Sequence, residues 1–355
     1  MSSVDKEILL TIVVPIYNVE KYLRQCLDSL VYQTVQNFNV ILVNDGSTDR
    51  SAEIAQEYAA NHGYTYIYQE NAGLGAARNT GLKNVNTPYV EFLDSDDWLI
   101  PCTVENIIRT IRNENNFIDI MFMTPIVFNM ATNRFEEWSD THQISDIFSS
   151  AHRTSPRETV SMYGLEPSVN RSIWSVEFLR KYKFSFPIGV KWEDVFPHFY
   201  LFYHASSCIY VQNAALCYRI NSGSQITSLS GTARLDIIPA FSNSLLYAFE
   251  NDWSVHEIAY IIRMMESFVR WSMGMANSAV RKQLVKEVHA LVNAIPMCYL
   301  KAYYKEFNLG RMVKLYYRIL RSSICYHLLA NRHMQEAGLN MMMRLKKIMF
   351  WRRKR

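Results

Sequence analysis

Tyr89-Val90-Glu91-Phe92-Leu93-Asp94-Ser95-Asp96-Asp97-Trp98 reads as a short apolar strand that runs into three carboxylates. In an extended chain residues i and i+2 point to the same side. Asp94 and Asp96 are therefore expected to aim at one point just past the strand end. Two hard oxygen donors converging there suit Mg²⁺ or Mn²⁺, and a metal so held commonly grips a substrate's phosphates too. Alone, an acidic cluster after a strand is more often a solvated turn or a helix cap. The placement of three further motifs shifts that balance.

The first hundred residues alternate strand and helix. Residues 10–14 form an apolar, β-branched run closed by Pro15, a buried strand. Asn18 is expected to cap a helix whose apolar positions Val19, Tyr22, Leu23, Cys26, Leu27 and Leu30 recur at helical spacing. Residues 40–43 form a second buried strand, and Thr48 or Asp49 caps the helix that follows and stops near Gly63. Residues 64–68 read as a third strand, 75–85 as a helix and 89–93 as the fourth strand. Strands separated by helices imply a parallel sheet with right-handed crossovers, which binds ligands outside the carboxyl ends of its strands. That edge carries Pro15-Ile16-Tyr17-Asn18, then Asn44-Asp45-Gly46-Ser47-Thr48-Asp49, then Asn71-Ala72-Gly73-Leu74-Gly75, then Asp94-Ser95-Asp96-Asp97.

With Ala76-Ala77-Arg78-Asn79 extending the third of them, these motifs resemble the family 2 glycosyltransferases of the GT-A fold. The resemblance is close over residues 10–125, weaker over 160–230, and does not reach the C-terminal third. It implies an α/β fold, a Rossmann-like, mostly parallel sheet flanked by helices, followed by an α-helical C-terminal region. The expected catalytic domain is 1–232, with a nucleotide-sugar half of about 1–125 and an acceptor half of about 126–232. Residues 233–355 form the helical region with a basic tail.

The resemblance also implies roles. The nucleotide diphosphate sugar would be bound by Pro15, Ile16, Tyr17, Asn18, Glu20, Asp45, Asn71, Arg78, Asp94 and Ser95. Tyr17 offers a flat face to a base, and Asp45 would accept from N3–H of uracil or thymine, a proton cytosine lacks. Arg78 would lie near base and phosphates, where its planar fork suits a phosphate. Asp94-Ser95-Asp96 is the D-x-D motif, with Asp96 as direct metal ligand and Asp94 toward the ribose or the metal's water shell. Asp97 is an alternative cap for a helix starting near Pro101. A dinucleotide-binding reading of Gly73-x-Gly75 fails, because the loop follows the third strand and Arg78 stands where a third glycine belongs.

Residues 125–130 suit a strand, and 132–153 carry no clear pattern and are expected as a loop over the site. The family pattern returns at Asn170-Arg171-Ser172-Ile173-Trp174, Trp192-Glu193-Asp194 and Tyr218-Arg219-Ile220. In inverting members an acidic residue of the E-D pair is the general base, which makes Asp194 the first choice and Glu193 the fallback. An acidic pair also suits the start of a helix. Arg219 and the loop from Ser224 to Thr227 are expected over the diphosphate. The implied reaction is one in-line displacement with inversion, dependent on Mn²⁺ or Mg²⁺.

Charge is uneven. The chain carries +4 over 355 residues, whereas residues 301–355 hold 14 Lys and Arg against Glu306 and Glu336. The remainder is therefore acidic, which argues against nucleic acid as partner. In the last segment Met341, Met342, Leu345, Ile348, Met349, Phe350 and Trp351 alternate with basic residues, a pattern suited to an anionic membrane surface. Residues 118–130, the richest apolar run, contain Asp119 and Pro125, so no spanning helix is expected. Asp5 and Glu7 do not fit a signal peptide. The six cysteines lack C-x-x-C spacing, which suits reduced thiols. The expectation is a cytoplasmic enzyme, peripheral on the inner membrane face, that transfers a sugar to a glycan acceptor, lipid-linked ones included, in surface polysaccharide synthesis. Two rivals are a sugar nucleotidyltransferase, disfavoured by Pro15-Ile16-Tyr17-Asn18 where a triphosphate loop belongs, and a catalytically silent binding protein.

Overall fold

The computed structural model describes residues 7–221 and 231–310. The chain forms two compact units, residues 1–228 and 229–355.

In the first unit, β1 (Leu10–Ile16) is buried along its whole length, as expected of a strand covered on both faces. Its one polar side chain, Thr11, shares a 2.7 Å hydrogen bond with the Thr87 hydroxyl. The strands β2 (Asn39–Asp45), β3 (Thr65–Gln69) and β4 (Tyr89–Phe92) join it in the order β3-β2-β1-β4, all parallel. The helices α1 (Glu20–Val31), α2 (Ser51–His62) and α3 (Leu74–Lys83) make the connections. Helix α1 buries Leu23, Cys26, Leu27 and Leu30, the predicted stripe. Helix α3 lies so close to β1 that a Cβ on Gly81 would stand 2.2 Å from Val13 Cγ1.

The sheet then becomes mixed. After β5 (Trp98–Leu99) and α4 (Thr103–Asn113) come β6 (Ile120–Asn129), β7 (Arg134–Glu137), α5 (Thr141–Ser150), β8 (Arg153–Thr154), β9 (Ser172–Ser175), α6 (Val176–Lys181), α7 (Val195–His204) and β10 (Cys208–Ile220). Strand β9 lies antiparallel between β4 and β6, β10 runs parallel to β6, and β5 closes the order antiparallel to β10. Residues 132–153, expected as a loop, hold β7 and α5 instead. β7 is exposed and is held by its antiparallel pairing with β6, while α5 buries Ile144 and Ile147, and no local pattern displays either partner.

The predicted caps differ too. Val19 and Arg50 occupy the N-cap positions of α1 and α2, without side-chain caps. Asn18 and Asp49 serve the loops: Asn18 Oδ1 accepts from Thr48 N at 2.8 Å, and Asp49 Oδ1 from Ser51 N at 2.9 Å. Asn18 reaches that position in the left-handed region, at φ 48°.

The second unit, as far as it is described, is helical: α8 (Ile237–Glu250), α9 (Val255–Met275), α10 (Ser278–Ala294) and α11 (Met297–Glu306). Ser254 and Glu257 form a reciprocal capping box on α9. That helix buries Ile258, Ile261, Ile262, Met265 and Val269. The part of the expected helical region beyond residue 310, the amphipathic tail and the 224–227 loop lie outside the described residues. Among the described residues no helix is long and apolar enough to cross a membrane.

Candidate active site

The parallel strands deliver their polar tips to one edge. At the end of β2, Asp45 is buried, and its carboxylate accepts from Gln69 Nε2 (2.6 Å), Ala72 N (2.9 Å) and Gly73 N (2.9 Å). Thr80 in turn donates to Gln69 Oε1 at 2.5 Å. Asp45 thus fixes the 71–73 loop, with Asn71 Nδ2 on its carbonyl oxygen at 3.1 Å. Two amides and a side chain leave acceptor capacity on Oδ2, which takes only Gly73 N. Beyond β1, Pro15 and Ile16 are buried while Tyr17, Asn18 and Glu20 are exposed. Glu20 Oε2 accepts from Arg50 N at 2.9 Å, so its carboxylate staples the two loops together.

The carboxylates of the opening stretch meet as expected, but by a different geometry. Residues 94–97 form a turn, with Asp97 N donating to Asp94 O at 3.0 Å, so extended-chain alternation does not apply. Asp94 Oδ1 accepts from Arg78 Nη2 at 2.7 Å and Oδ2 from Asn170 Nδ2 at 3.2 Å. Asp97 caps no helix. It is buried, and its carboxylate accepts from Asn170 Nδ2 (2.9 Å) and Arg219 N (2.8 Å). Ser95 is buried within the turn. The Asp96 side chain accepts no hydrogen bond from any other described residue. Burial and the nearby Asp94 charge push its carboxyl up to about 6.

Arg78 is the hub. It is 1% exposed, and Nη1 donates to Glu193 Oε1 (3.0 Å) and Asp194 Oδ1 (2.9 Å) while Nη2 holds Asp94. Burial works against its charge, but Asp94, Asp194 and Glu193 outweigh it and raise its pKa. Resemblance had pointed this guanidinium at base and phosphates; here its fork joins the D-x-D turn to the E-D pair. Asp194 occupies the N-cap position of α7, yet its side chain turns to Arg78 and caps nothing. Burial, then Asp194, pushes Glu193 up to about 7, with Arg78 opposing. Burial also raises Asp194, against Arg78. The Asp194 side chain is 25% exposed and that of Glu193 only 7%.

Arg219 is also committed elsewhere than expected. Its Nε donates to Asp96 O (2.8 Å) and Nη2 to Gln25 Oε1 (2.6 Å), and its guanidinium lies over Tyr22 (4.6 Å) and Trp98 (4.8 Å). It braces the turn from behind. Three contributors had no role assigned from sequence. Asn170 bonds both Asp94 and Asp97, and Arg171 pairs in the interior with Asp140 at 2.7 Å. Their only signal was the Asn170-Arg171 motif, which names no partner.

Five carboxylates (Asp94, Asp96, Asp97, Glu193 and Asp194) thus share one site with two guanidiniums, Arg78 and Arg219. Burial first, and then neighbouring carboxylate charge, raises Asp96, Asp97, Glu193 and Asp194, and a divalent cation would oppose the shift. Among the described residues no three His, Cys, Asp or Glu side chains are grouped to hold an ion. Mg²⁺ is commonly held by only one or two carboxylates, with phosphates and water completing the shell. Asp96 has the uncommitted oxygens, and Asp94 stands beside it.

A chain with this sheet, this acidic turn and this remote acidic pair can be matched with known proteins. Residues 11–157 match the family model described as glycosyl transferase family 2. Glycosyltransferase GlyA of Streptococcus pneumoniae serotype 4 is 35% identical over 223 residues, 61% of this chain and 31% of its own. EpsH of Bacillus subtilis is 35% identical over 222 residues, 60% of this chain and 61% of its own. The minor teichoic acid biosynthesis protein GgaB of Bacillus subtilis is 39% identical over 144 residues, 39% of this chain and 15% of its own. The chain therefore spans between a seventh and three fifths of these relatives. The crystal structure of S. aureus TarS 1-349 in complex with UDP-GlcNAc superposes with a TM-score of 0.71 at 18% identity, covering 93% of this chain and 92% of that one. At that identity the likeness establishes the GT-A fold.

Proposed function

We propose that this protein transfers a sugar from a nucleotide diphosphate sugar, a UDP-sugar, to a hydroxyl of a glycan acceptor, with inversion, in the synthesis of a cell-surface polysaccharide. The observation that carries this reading is the Arg78 hub, which brings a D-x-D turn and a distant acidic pair into one cluster at the ligand-binding edge. The relatives' names and the UDP-GlcNAc in the TarS crystals support the donor class and the polysaccharide context. The D-x-D turn supports dependence on Mn²⁺ or Mg²⁺.

Exposed Tyr17 supplies a stacking face for the base, and Asp45 Oδ2 accepts from the uracil N3–H. The metal, when bound, offsets charge on the diphosphate leaving group. Asp194 takes the proton of the attacking acceptor hydroxyl, because it is the more exposed of the acidic pair. Its raised pKa makes it a stronger base than an ordinary aspartate. Arg78 orients Asp194 and Asp94 together, so base and donor share one frame. The basic 341–355 segment, which carries the proposal of a peripheral position on the inner membrane face, supports contact with anionic lipid and a lipid-linked acceptor.

The test compares wild type, Asp96→Ala and Asp194→Asn. Calorimetry with UDP and UDP-sugars, with and without Mn²⁺, should show metal-enhanced binding in wild type and D194N and its loss in D96A. UDP release should fall about 10²–10⁴-fold in D194N. Absence of any UDP-sugar binding by the wild type refutes the reading.

A further inference from the structure

The ring pair of Tyr218 and Trp138 lies beside the Asp94–Asp97 turn and has no part in the scheme above. The two rings meet edge-to-face with centroids 4.7 Å apart. Both are tied to the carboxylates through their neighbours. Tyr218 precedes Arg219, whose N–H donates to Asp97 Oδ1 and whose Nε donates to Asp96 O. Trp138 precedes the Ser139-Asp140 step. Ser139 donates to Glu166 Oε2 at 2.5 Å, and Asp140 holds Arg171 through both carboxylate oxygens (2.7 and 2.9 Å). Adjacent Asn170 binds Asp94 and Asp97. The Asp140–Arg171 pair is almost fully buried on both sides, so Trp138 is fixed relative to the metal-binding turn.

The pair still has unused donors. The Trp138 indole N–H is buried and finds no acceptor among the described residues. The Tyr218 hydroxyl likewise bonds to no other described residue, although Trp138 immobilises its ring. A tyrosine hydroxyl is a donor, and the N–H of the next residue, Arg219, already donates to Asp97 Oδ1, which sets Tyr218 next to the acidic turn. A phenol fixed by a ring partner beside a carboxylate cluster, and bonded to none of it among the described residues, is suited to a neutral polyhydroxyl group held between them.

We propose that Tyr218, positioned by Trp138, is a specificity-determining residue that donates a hydrogen bond to a hydroxyl or acetamido oxygen of the sugar being transferred. This rests on the donor reading above and extends it to the sugar moiety. Trp138 acts through Tyr218, and the Asp140–Arg171 pair holds Trp138 in place.

The test uses the full chain with Mn²⁺ and titrates UDP, UDP-glucose and UDP-N-acetylglucosamine into wild type and Tyr218→Phe, which removes one oxygen and keeps the ring. The expected result is a wild type that prefers one UDP-sugar over UDP, and a variant whose preference falls about 3–10-fold while UDP affinity is unchanged. Trp138→Phe should show a smaller loss in the same sense. A variant that weakens UDP and UDP-sugar equally, or one that keeps the full preference, overturns the assignment and leaves the donor reading intact. A wild type that binds none of the three ligands removes both.

Discussion

Replacing Arg78 by methionine tests the hub directly. Methionine keeps most of the volume and removes the cation that contacts Asp94, Glu193 and Asp194, at 2.7, 3.0 and 2.9 Å. Arg78 is 1% exposed, and the three acids expose only 24%, 7% and 25% of their side chains, so water cannot take over. Breaking a buried ion pair by removing one partner costs about 3–5 kcal/mol, because the surviving charge stays buried. Three survivors would cost more if all remained ionised. They need not, because burial already holds Glu193 at about 7, and it takes a proton first. The expected loss is therefore about 3–5 kcal/mol at pH 7.5 and smaller at pH 5.5. Arg78 opposes the upward shifts of Glu193 and Asp194, so removing it raises their folded-state pKa values further above the unfolded ones, and the variant's stability falls as pH rises through that window. Urea unfolding at both pH values, followed by circular dichroism and read for the first transition of a two-unit chain, measures this. Adding Glu193→Gln to the variant should recover part of the loss at pH 7.5 and little at pH 5.5. A loss below about 1 kcal/mol at pH 7.5, or one independent of pH, would refute the hub as drawn.

Two further outcomes follow from the core beneath the site. Both carboxylate oxygens of Glu91 are buried without a hydrogen-bond partner among the described residues, and burial pushes the group from 4.5 to about 8. Between those values the unfolded chain has released a proton that the folded chain keeps, so stability falls with rising pH by about 1.4 kcal/mol per unit. Glu91→Gln should remove about 2–3 kcal/mol of the wild type's loss between pH 5.5 and 7.5 in urea midpoints, and parallel slopes would show the carboxyl is not buried neutral. Gly81→Ala should destabilise by about 1–2 kcal/mol despite alanine's better helix propensity, since its Cβ would stand 2.2 Å from Val13 Cγ1 and a β-branched side chain in a central strand has little room to retreat. Val13→Ala in the same chain should recover part of that cost, and a stabilised single variant would refute the close α3–β1 contact.

These perturbations divide what sequence could show from what it could not. The strands β1, β2 and β4 were legible because burial on both faces writes a contiguous apolar run, and the edge motifs because topology puts strand ends together whatever the side chains do. Convergence of Asp94 and Asp96 was anticipated for the wrong reason: a turn closed by Asp97 N on Asp94 O brings them close, where strand alternation had been invoked. Arg78 and Arg219 each had a plausible role near the phosphates, and Asp97 one as a helix cap. Their actual partners lie 115, 123 and 73 residues away, at Glu193, Asp96 and Asn170. A charged side chain can satisfy itself locally or across the fold, and the sequence reads the same in both cases. The deciding quantity is burial, which is a property of the assembled sheet. In this site the most deeply buried charges therefore gave the least accurate local readings, and exposed Tyr17, whose surroundings are mostly solvent, stands open at the strand edge as expected.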